Sequence, residues 1–232
     1  MWDPGEVLAA AREGLAACEA AGRAEQAVRG LDSLSEVELH GVLEAGLRGP
    51  GWCVLREQPY PGPAGSRAFR RERERCDFAL LPAGLTWLRD GPASMREKDA
   101  RAGTLFEGME PDEAPGAADP EDAYWLEVKV VGQHAPRQGV PEPNAAYASD
   151  LVRSITEDLL KLAKEPRAAH AGVLLVLFTE DEATASHDLD AALHRALDRG
   201  AGFRGYRRET IPVLDRIGNA CCTAALIERA LA

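Results

Sequence analysis

The stretch Tyr124–Val131 (YWLEVKVV) decides the fold, because it predicts a central strand that carries two opposite charges. Side chains alternate between the two faces of a strand, so Glu127 and Lys129 point to one side while Leu126 and Val128 point to the other. An acid and an amine are costly to place in an otherwise apolar strand unless they have a partner or a use. The stretch therefore predicts a strand with a chemical site built into it.

A second predicted strand lies upstream at Arg75–Pro82 (RCDFALLP) and carries one acid, Asp77. An Asp on one strand and a Glu-x-Lys on a neighbouring strand can hold a divalent cation and orient a water molecule. Alternation sends Cys76 to the face opposite Asp77, which favours a buried thiol over a metal ligand. The two strands together make metal-dependent cleavage of phosphodiester bonds the leading hypothesis.

The other elements follow from the spacing of apolar residues. They are predicted as an Ala-rich helix or helix pair within 5–30, broken near Gly22, a helix that ends near Arg48, a strand over Trp52–Glu57, a helix over Tyr147–Glu165, a buried strand over Gly172–Phe178, a helix over His187–Asp198 and, over Thr210–Ile227, a hairpin or a final helix. Residues 89–122 and 132–144 are predicted as loops. A helix between the strands of Lys129 and Val173 implies that these strands pair in parallel. The sequence thus predicts an α/β fold with a mixed central sheet flanked by helices.

This succession of elements and acids resembles the PD-(D/E)xK nuclease superfamily, which includes many restriction endonucleases, Holliday junction resolvases and RecB-type nuclease domains. The matching motifs are Cys76-Asp77-Phe78 and Leu126-Glu127-Val128-Lys129, in an αβββαβ order within residues 33–180. Cys76 stands where the family has a Pro. The resemblance implies a restriction-endonuclease-like domain over 33–232, with an N-terminal helical extension over 1–32 and an acidic loop insertion over 89–122.

The resemblance also implies roles for the motif residues. Asp77 and Glu127 would bind Mg²⁺ or Mn²⁺ together with the backbone carbonyl of Val128. Lys129 would position or deprotonate the attacking water, or stabilise the charge that develops on the phosphate. The alternative is an ordinary Glu–Lys pair on an exposed sheet face.

A further acid is expected on the predicted helix that ends near residue 48. At 100° per residue, Glu36 turns towards the apolar face, between Leu43 and Leu47, whereas Glu38 turns away from it. Glu36 is therefore the preferred catalytic candidate and Glu38 the alternative. Glu36 also fits the third position of a capping box begun by Ser33, which would give it a purely structural role.

Polar side chains around these elements are candidate substrate contacts. The segment Arg67–Arg75 holds five Arg and two Glu, which leaves a local charge of +3 just before Asp77. The candidates are Arg71, Arg73, Arg75, Gln133, Arg153 and Lys161. Their structural alternatives are an ion-pair ladder for the arginines, a loop amide for Gln133 and a solvated helix face for the last two.

The overall charge restricts the choice of partner. A net charge of −11 argues against binding of nucleic acid through bulk electrostatics alone. Within 89–122 there are ten acidic and four basic residues, so this segment alone contributes −6. Three hypotheses follow: a nuclease acting on nucleic acid, with DNA favoured, an inactive nuclease-fold subunit that binds nucleic acid or a protein, or a metal-dependent hydrolase of another phosphoester. The acidic insertion would suit a protein partner, and a homodimer would supply the two engagements that cutting of a duplex needs.

Cysteine usage and hydropathy predict the compartment. The five cysteines have no zinc-like spacing, so reduced, packed thiols are expected. No apolar run approaches the roughly 18–20 residues that cross a bilayer. The first residues also lack the basic start and apolar centre of a signal peptide. A cytoplasmic protein without a membrane partner is expected.

Overall fold

The computed structural model describes residues 2–61, 74–89, 103–105, 116–137 and 140–230. The helices of this part are α1 (Pro4–Ala24), a 3₁₀ turn (Leu31–Ser33), α2 (Glu36–Leu47), α3 (Tyr147–Ala163) and α4 (Glu182–Asp198). The strands are β1 (Cys53–Pro59), β2 (Arg75–Leu81), β3 (Trp87–Leu88), β4 (Ala117–Ala118), β5 (Tyr124–Gly132), β6 (His134–Arg137), β7 (Val140–Pro143), β8 (His170–Thr179), β9 (Phe203–Pro212) and β10 (Cys221–Arg229). The fold is mixed α/β.

Six strands form the central sheet, in the order β1-β2-β5-β8-β10-β9. Strands β5 and β8 are parallel, with Glu127 beside Val173 and Lys129 beside Leu175, and the other neighbouring strands are antiparallel. A parallel pair requires a crossover connection, and α3 supplies it. The mixed sheet and the parallel pairing expected from the sequence are confirmed.

Helices cover both faces of this sheet. Helices α3 and α4 pack over one face, around Trp125 and Val173, and α1 and α2 pack over the other, around Phe78 and Leu126. Strand β8 is buried along nearly its whole length, which explains its continuous apolar run. None of the helices in the described ranges is long and apolar enough to span a membrane.

Helix α1 packs closely against α2 and belongs to the same core as the sheet. Leu8 and Leu15 of α1 are buried in the cluster that contains Phe78. The two helix backbones touch at glycines: a Cβ atom added to Gly46 would lie 2.4 Å from the carbonyl oxygen of Ala10. Helix α1 is thus part of the layer that covers one face of the sheet.

We expect Gly46→Ala to lower the free energy of unfolding by about 2 kcal/mol, because the added methyl group forces the two backbones apart. Gly41→Ala on the same helix is the matched control, since nothing lies within 4 Å of a Cβ atom there. Helix propensity predicts a gain of up to about 1 kcal/mol for that control. Urea unfolding measures both values, and equal changes in the two variants would contradict the close approach of α1 and α2.

The structure corrects several element boundaries. Helix α1 continues through Gly22 and ends at Ala24, since one glycine near a helix end costs only about 1 kcal/mol. The predicted loop over 132–144 contains the hairpin β6–β7, whose prolines are tolerated because a two-stranded ribbon has only edge strands. In the predicted loop over 89–122, Ala117–Ala118 pairs with Trp87–Leu88. Most of that insertion lies outside the described residues.

Two further expectations are settled by the C-terminal region and the thiols. Strands β9 and β10 form an antiparallel hairpin, so the alternative of a final helix is wrong. Strand β9 begins at Phe203, earlier than the apolar pattern indicated. The pattern missed its first residues because they are exposed or half-buried. All five cysteines are free, and Cys76 is fully buried, as expected.

Candidate active site

Glu127 lies on the face of the sheet covered by α3, and only 1% of it is exposed. Its carboxylate accepts hydrogen bonds from the hydroxyl of Tyr60 and, at 2.6 Å, from Nζ of Lys161. The Tyr60 ring stacks on Trp125 with centroids 5.7 Å apart, and Lys161 Nζ lies 5.0 Å above the Tyr60 ring. Burial, and then the charge of Asp77, raise the pKa of Glu127. The two hydrogen bonds therefore fix the Glu127 carboxylate in place, while burial and the charge of Asp77 disfavour its ionised form.

Asp77 reaches the edge of β5 at the point where pairing between β2 and β5 stops. The ladder between these strands ends at the pair Phe78–Leu126. One residue further along, Asp77 Oδ2 accepts a hydrogen bond of 2.7 Å from the backbone N–H of Val128. The carboxylate thus takes the place of the backbone carbonyl of a paired strand. It lies beside Val128, the residue between Glu127 and Lys129.

Lys129 lies where the two helical layers meet the end of the sheet. Its Nζ is 3.4 Å from Oδ2 of Asp158 on α3 and 4.0 Å from Oε1 of Glu36 on α2. Burial alone would lower the pKa of Lys129, but the charges of Asp158, Asp77, Glu127 and Glu36 raise it. The ammonium group is therefore charged at neutral pH and interacts electrostatically with four carboxylates.

Asp158 is the main counter-ion of Lys129. It is 6% exposed, and burial followed by the charge of Glu127 raises its pKa to about 6. Its Oδ2 lies at ion-pair distance from Lys129 but makes no hydrogen bond within the described residues. Asp158 therefore holds the ammonium group by charge, without the alignment of a hydrogen bond.

The capping of α2 separates the two candidate helix acids. Ser35, not Ser33, is the N-cap, and Glu38 completes the capping box by accepting a hydrogen bond of 2.7 Å from the Ser35 backbone. Hydrogen bonds from Ser35 also lower the pKa of Glu38. Glu36 is left outside the box and points towards Lys129 and His40, whose Nε2 lies 3.9 Å from Glu36 Oε1. The structure places Glu38 in the cap and Glu36 4.0 Å from Lys129 Nζ. The Glu36 side chain is 53% exposed, so the expectation that it turns towards the core is wrong.

Two of the expected substrate contacts lie next to the acids. Lys161 donates to Glu127 and, at 2.8 Å, to the backbone carbonyl of Arg75. The exposed Arg75 side chain donates to the carbonyl of Glu57, 3.0 Å away. Arg71 and Arg73 lie outside the described residues.

The other two expected contacts are engaged elsewhere. Gln133 Oε1 accepts a 2.9 Å hydrogen bond from the backbone of Glu180, which ties the end of β5 to the end of β8. Arg153 is exposed and pairs with Asp150 at 2.8 Å on its own helix. Gln133 therefore has a structural contact, and Arg153 lies on a solvated helix face.

His40 and Tyr60 are site residues that the sequence analysis did not place. His40 stands four residues after Glu36, a spacing that puts both on one helix face and could have indicated the imidazole. Tyr60 follows β1, and no sequence spacing relates it to Glu127, 67 positions away. Its role depends on how β1, β2 and β5 align.

Comparisons with known proteins do not assign the chain to a class. No family model, curated protein or solved structure matches it. Roles for these residues therefore have to be inferred from the geometry described above.

Proposed function

We propose that the protein is a divalent-metal-dependent nuclease of the PD-(D/E)xK type, with a restriction-endonuclease-like core, that hydrolyses phosphodiester bonds in DNA. One observation carries the proposal: Asp77 of β2, Lys129 of β5 and Glu36 of α2 converge with Glu127 at one end of the sheet. The charges of these three acids, together with that of Asp158 on α3, raise the pKa of Lys129. Elements distant in sequence thus supply an anionic site that has the Lys129 ammonium group at its rim and a second ammonium group, that of Lys161, bound to Glu127.

The donor set fits a hard divalent cation. The charge of Asp77 raises the pKa of Glu127, so these two carboxylates repel each other in the absence of a cation. Carboxylate oxygens and a backbone carbonyl are the ligands that Mg²⁺ and Mn²⁺ accept, with water completing the shell. Asp77, Glu127 and the Val128 carbonyl would hold the ion. A bound ion would lower the pKa of a water ligand and offset charge on the phosphate.

The residues of the chain supply positioning and charge. The Lys129 ammonium group lies at the rim, 3.4 Å from Asp158 and 4.0 Å from the half-exposed Glu36, where it can orient a water molecule or donate to a phosphate oxygen. Lys161 and Tyr60 fix the carboxylate of Glu127. Arg75, at the start of β2, supplies an exposed positive charge next to these groups for the phosphate backbone.

A second candidate function is an inactive nuclease-fold subunit that binds nucleic acid or a protein partner. One observation favours it: both the Tyr60 hydroxyl and the Lys161 ammonium group occupy the same oxygen of Glu127. A cation that binds Glu127 has to share or displace these contacts. The two candidates differ in a single measurable property, cleavage.

We expect the purified chain to nick supercoiled DNA with Mg²⁺ or Mn²⁺ and to lose this activity in EDTA. Gel electrophoresis of plasmid, linear duplex and single-stranded DNA, with RNA alongside, measures cleavage and reports the preferred substrate. Cleavage at an undiminished rate in EDTA would refute the metal dependence. Binding of DNA without cleavage of any of these substrates would support the inactive subunit instead.

A further inference from the structure

A second group of metal-ligating side chains lies on the α2 side of the sheet. One ring nitrogen of His40, one carboxylate oxygen of Glu57 and one of Asp77 all lie within 4.8 Å of one another. Three donors spread evenly around one ion at about 2.0–2.2 Å are about 3.5–3.8 Å apart. Donors 4.8 Å apart therefore have to move by about 0.6–0.8 Å towards their common centre to bind the same ion.

The imidazole of His40 is buried without a hydrogen-bond partner. The residue is 5% exposed, and its Nε2 makes no hydrogen bond within the described ranges. Its ring packs against Phe78, with centroids 5.4 Å apart, and Nε2 lies 3.9 Å from Glu36 Oε1. A buried nitrogen without a hydrogen bond is destabilising. The carboxylates around this ring make a cation a suitable partner for it.

The backbone brings Glu57 and Asp77 opposite each other. The flanking pairs Arg56–Phe78 and Gln58–Cys76 are in register across β1 and β2, so the two acids occupy facing positions. Glu57 has a φ of 52°, in the left-handed region that residues other than glycine seldom adopt. Such a conformation persists only where the surrounding structure determines it. Here the adjacent β1–β2 pairs hold it.

We propose that His40, Glu57 and Asp77 form a binding site for a divalent transition-metal ion, with Mn²⁺ or Zn²⁺ preferred over Mg²⁺. One imidazole with two carboxylates suits these ions, whereas Mg²⁺ prefers oxygen ligands alone. The site shares Asp77 with the proposed catalytic centre but uses neither Glu127 nor Lys129, and binding there does not require cleavage.

The test uses Mn²⁺ alone as the probe on the full chain. Electron spin-echo spectroscopy of bound Mn²⁺ detects coupling to an imidazole nitrogen, and titration with detection of free Mn²⁺ gives the affinity. We expect nitrogen coupling in the wild type and in Glu127→Gln, and its loss in His40→Gln. Glu57→Gln, at an exposed position that tolerates the change, should weaken Mn²⁺ binding at least about tenfold. Glu157→Gln, an exposed acid on α3, is the matched control and should leave it unchanged.

Specific results would overturn the site. Absence of nitrogen coupling in the wild type, its persistence in His40→Gln, or unchanged Mn²⁺ affinity in Glu57→Gln would each refute it. Tighter binding of Mg²⁺ than of Mn²⁺ at the same site would refute the preference. Because these measurements record binding, a chain that shows the nitrogen signal but cleaves nothing would refute the nuclease and leave the metal site standing.

Discussion

Lys129→Ala is expected to lower the rate of DNA cleavage by at least about 10²-fold, the range of effects seen when a charged group that aids proton transfer or stabilises charge is removed. The reason is local: the ammonium group is the positive charge at the rim of the acidic site, 3.4 Å from Asp158 and 4.0 Å from Glu36. The measurement is the initial rate of plasmid nicking under saturating Mg²⁺. Circular dichroism confirms that the variant is folded.

Lys164→Ala is the matched control for this variant, since Lys164 is exposed just beyond the end of α3. It removes the same charge from the protein without touching the site, so its rate should equal that of the wild type. If Lys129→Ala cleaves as fast as Lys164→Ala, Lys129 has no part in the reaction, and the proposed chemistry fails.

Glu127→Ala should abolish cleavage and also lower the free energy of unfolding by about 2–3 kcal/mol. Breaking one partner of a buried ion pair typically costs about 3–5 kcal/mol, and we discount this value because the Lys161 side chain remains 27% exposed. The substitution also leaves the buried Tyr60 hydroxyl without its carboxylate partner. Urea unfolding and plasmid nicking measure the two effects separately.

Two variants separate charge from structure in this experiment. Glu127→Gln retains an oxygen that accepts hydrogen bonds from Tyr60 and Lys161, so it should recover part of the stability but none of the activity. Glu157→Ala removes an exposed acid from α3 and should change neither quantity. Wild-type cleavage by Glu127→Gln would show that the charge of Glu127 is dispensable and would contradict its proposed role as an anionic metal ligand.

The elements with a clear period were predictable, and the contacts between distant segments were not. Strands β5 and β8 and helix α3 followed from apolar runs and spacing, because burial on one or both faces leaves a direct trace in the sequence. The end of the β2–β5 ladder at Phe78–Leu126, which lets Asp77 bond to the Val128 amide, depends on register and leaves no such trace.

The same limit applies to the candidate site. Helix phase favoured Glu36 over Glu38 because it turned Glu36 towards the core, but the Glu36 side chain is 53% exposed. The choice of Ser35 over Ser33 as the cap, which engages Glu38, was not predicted. The left-handed backbone of Glu57 and the contact between Tyr60 and Glu127 depend on tertiary packing, which local propensity does not contain. Short strands such as Ala117–Ala118 escape prediction because two residues carry no period.

Helix α3 carries Asp158 and Lys161 three residues apart, as neighbours on one side of Leu159, which is fully buried in the core. The buried apolar face of α3 therefore fixes the rotation of the helix about its axis. This rotation in turn determines the direction in which Asp158 and Lys161 point. Substitutions that keep the apolar face of α3 keep the direction of these two side chains. The exposed face of the helix can therefore change in sequence without moving Asp158 or Lys161.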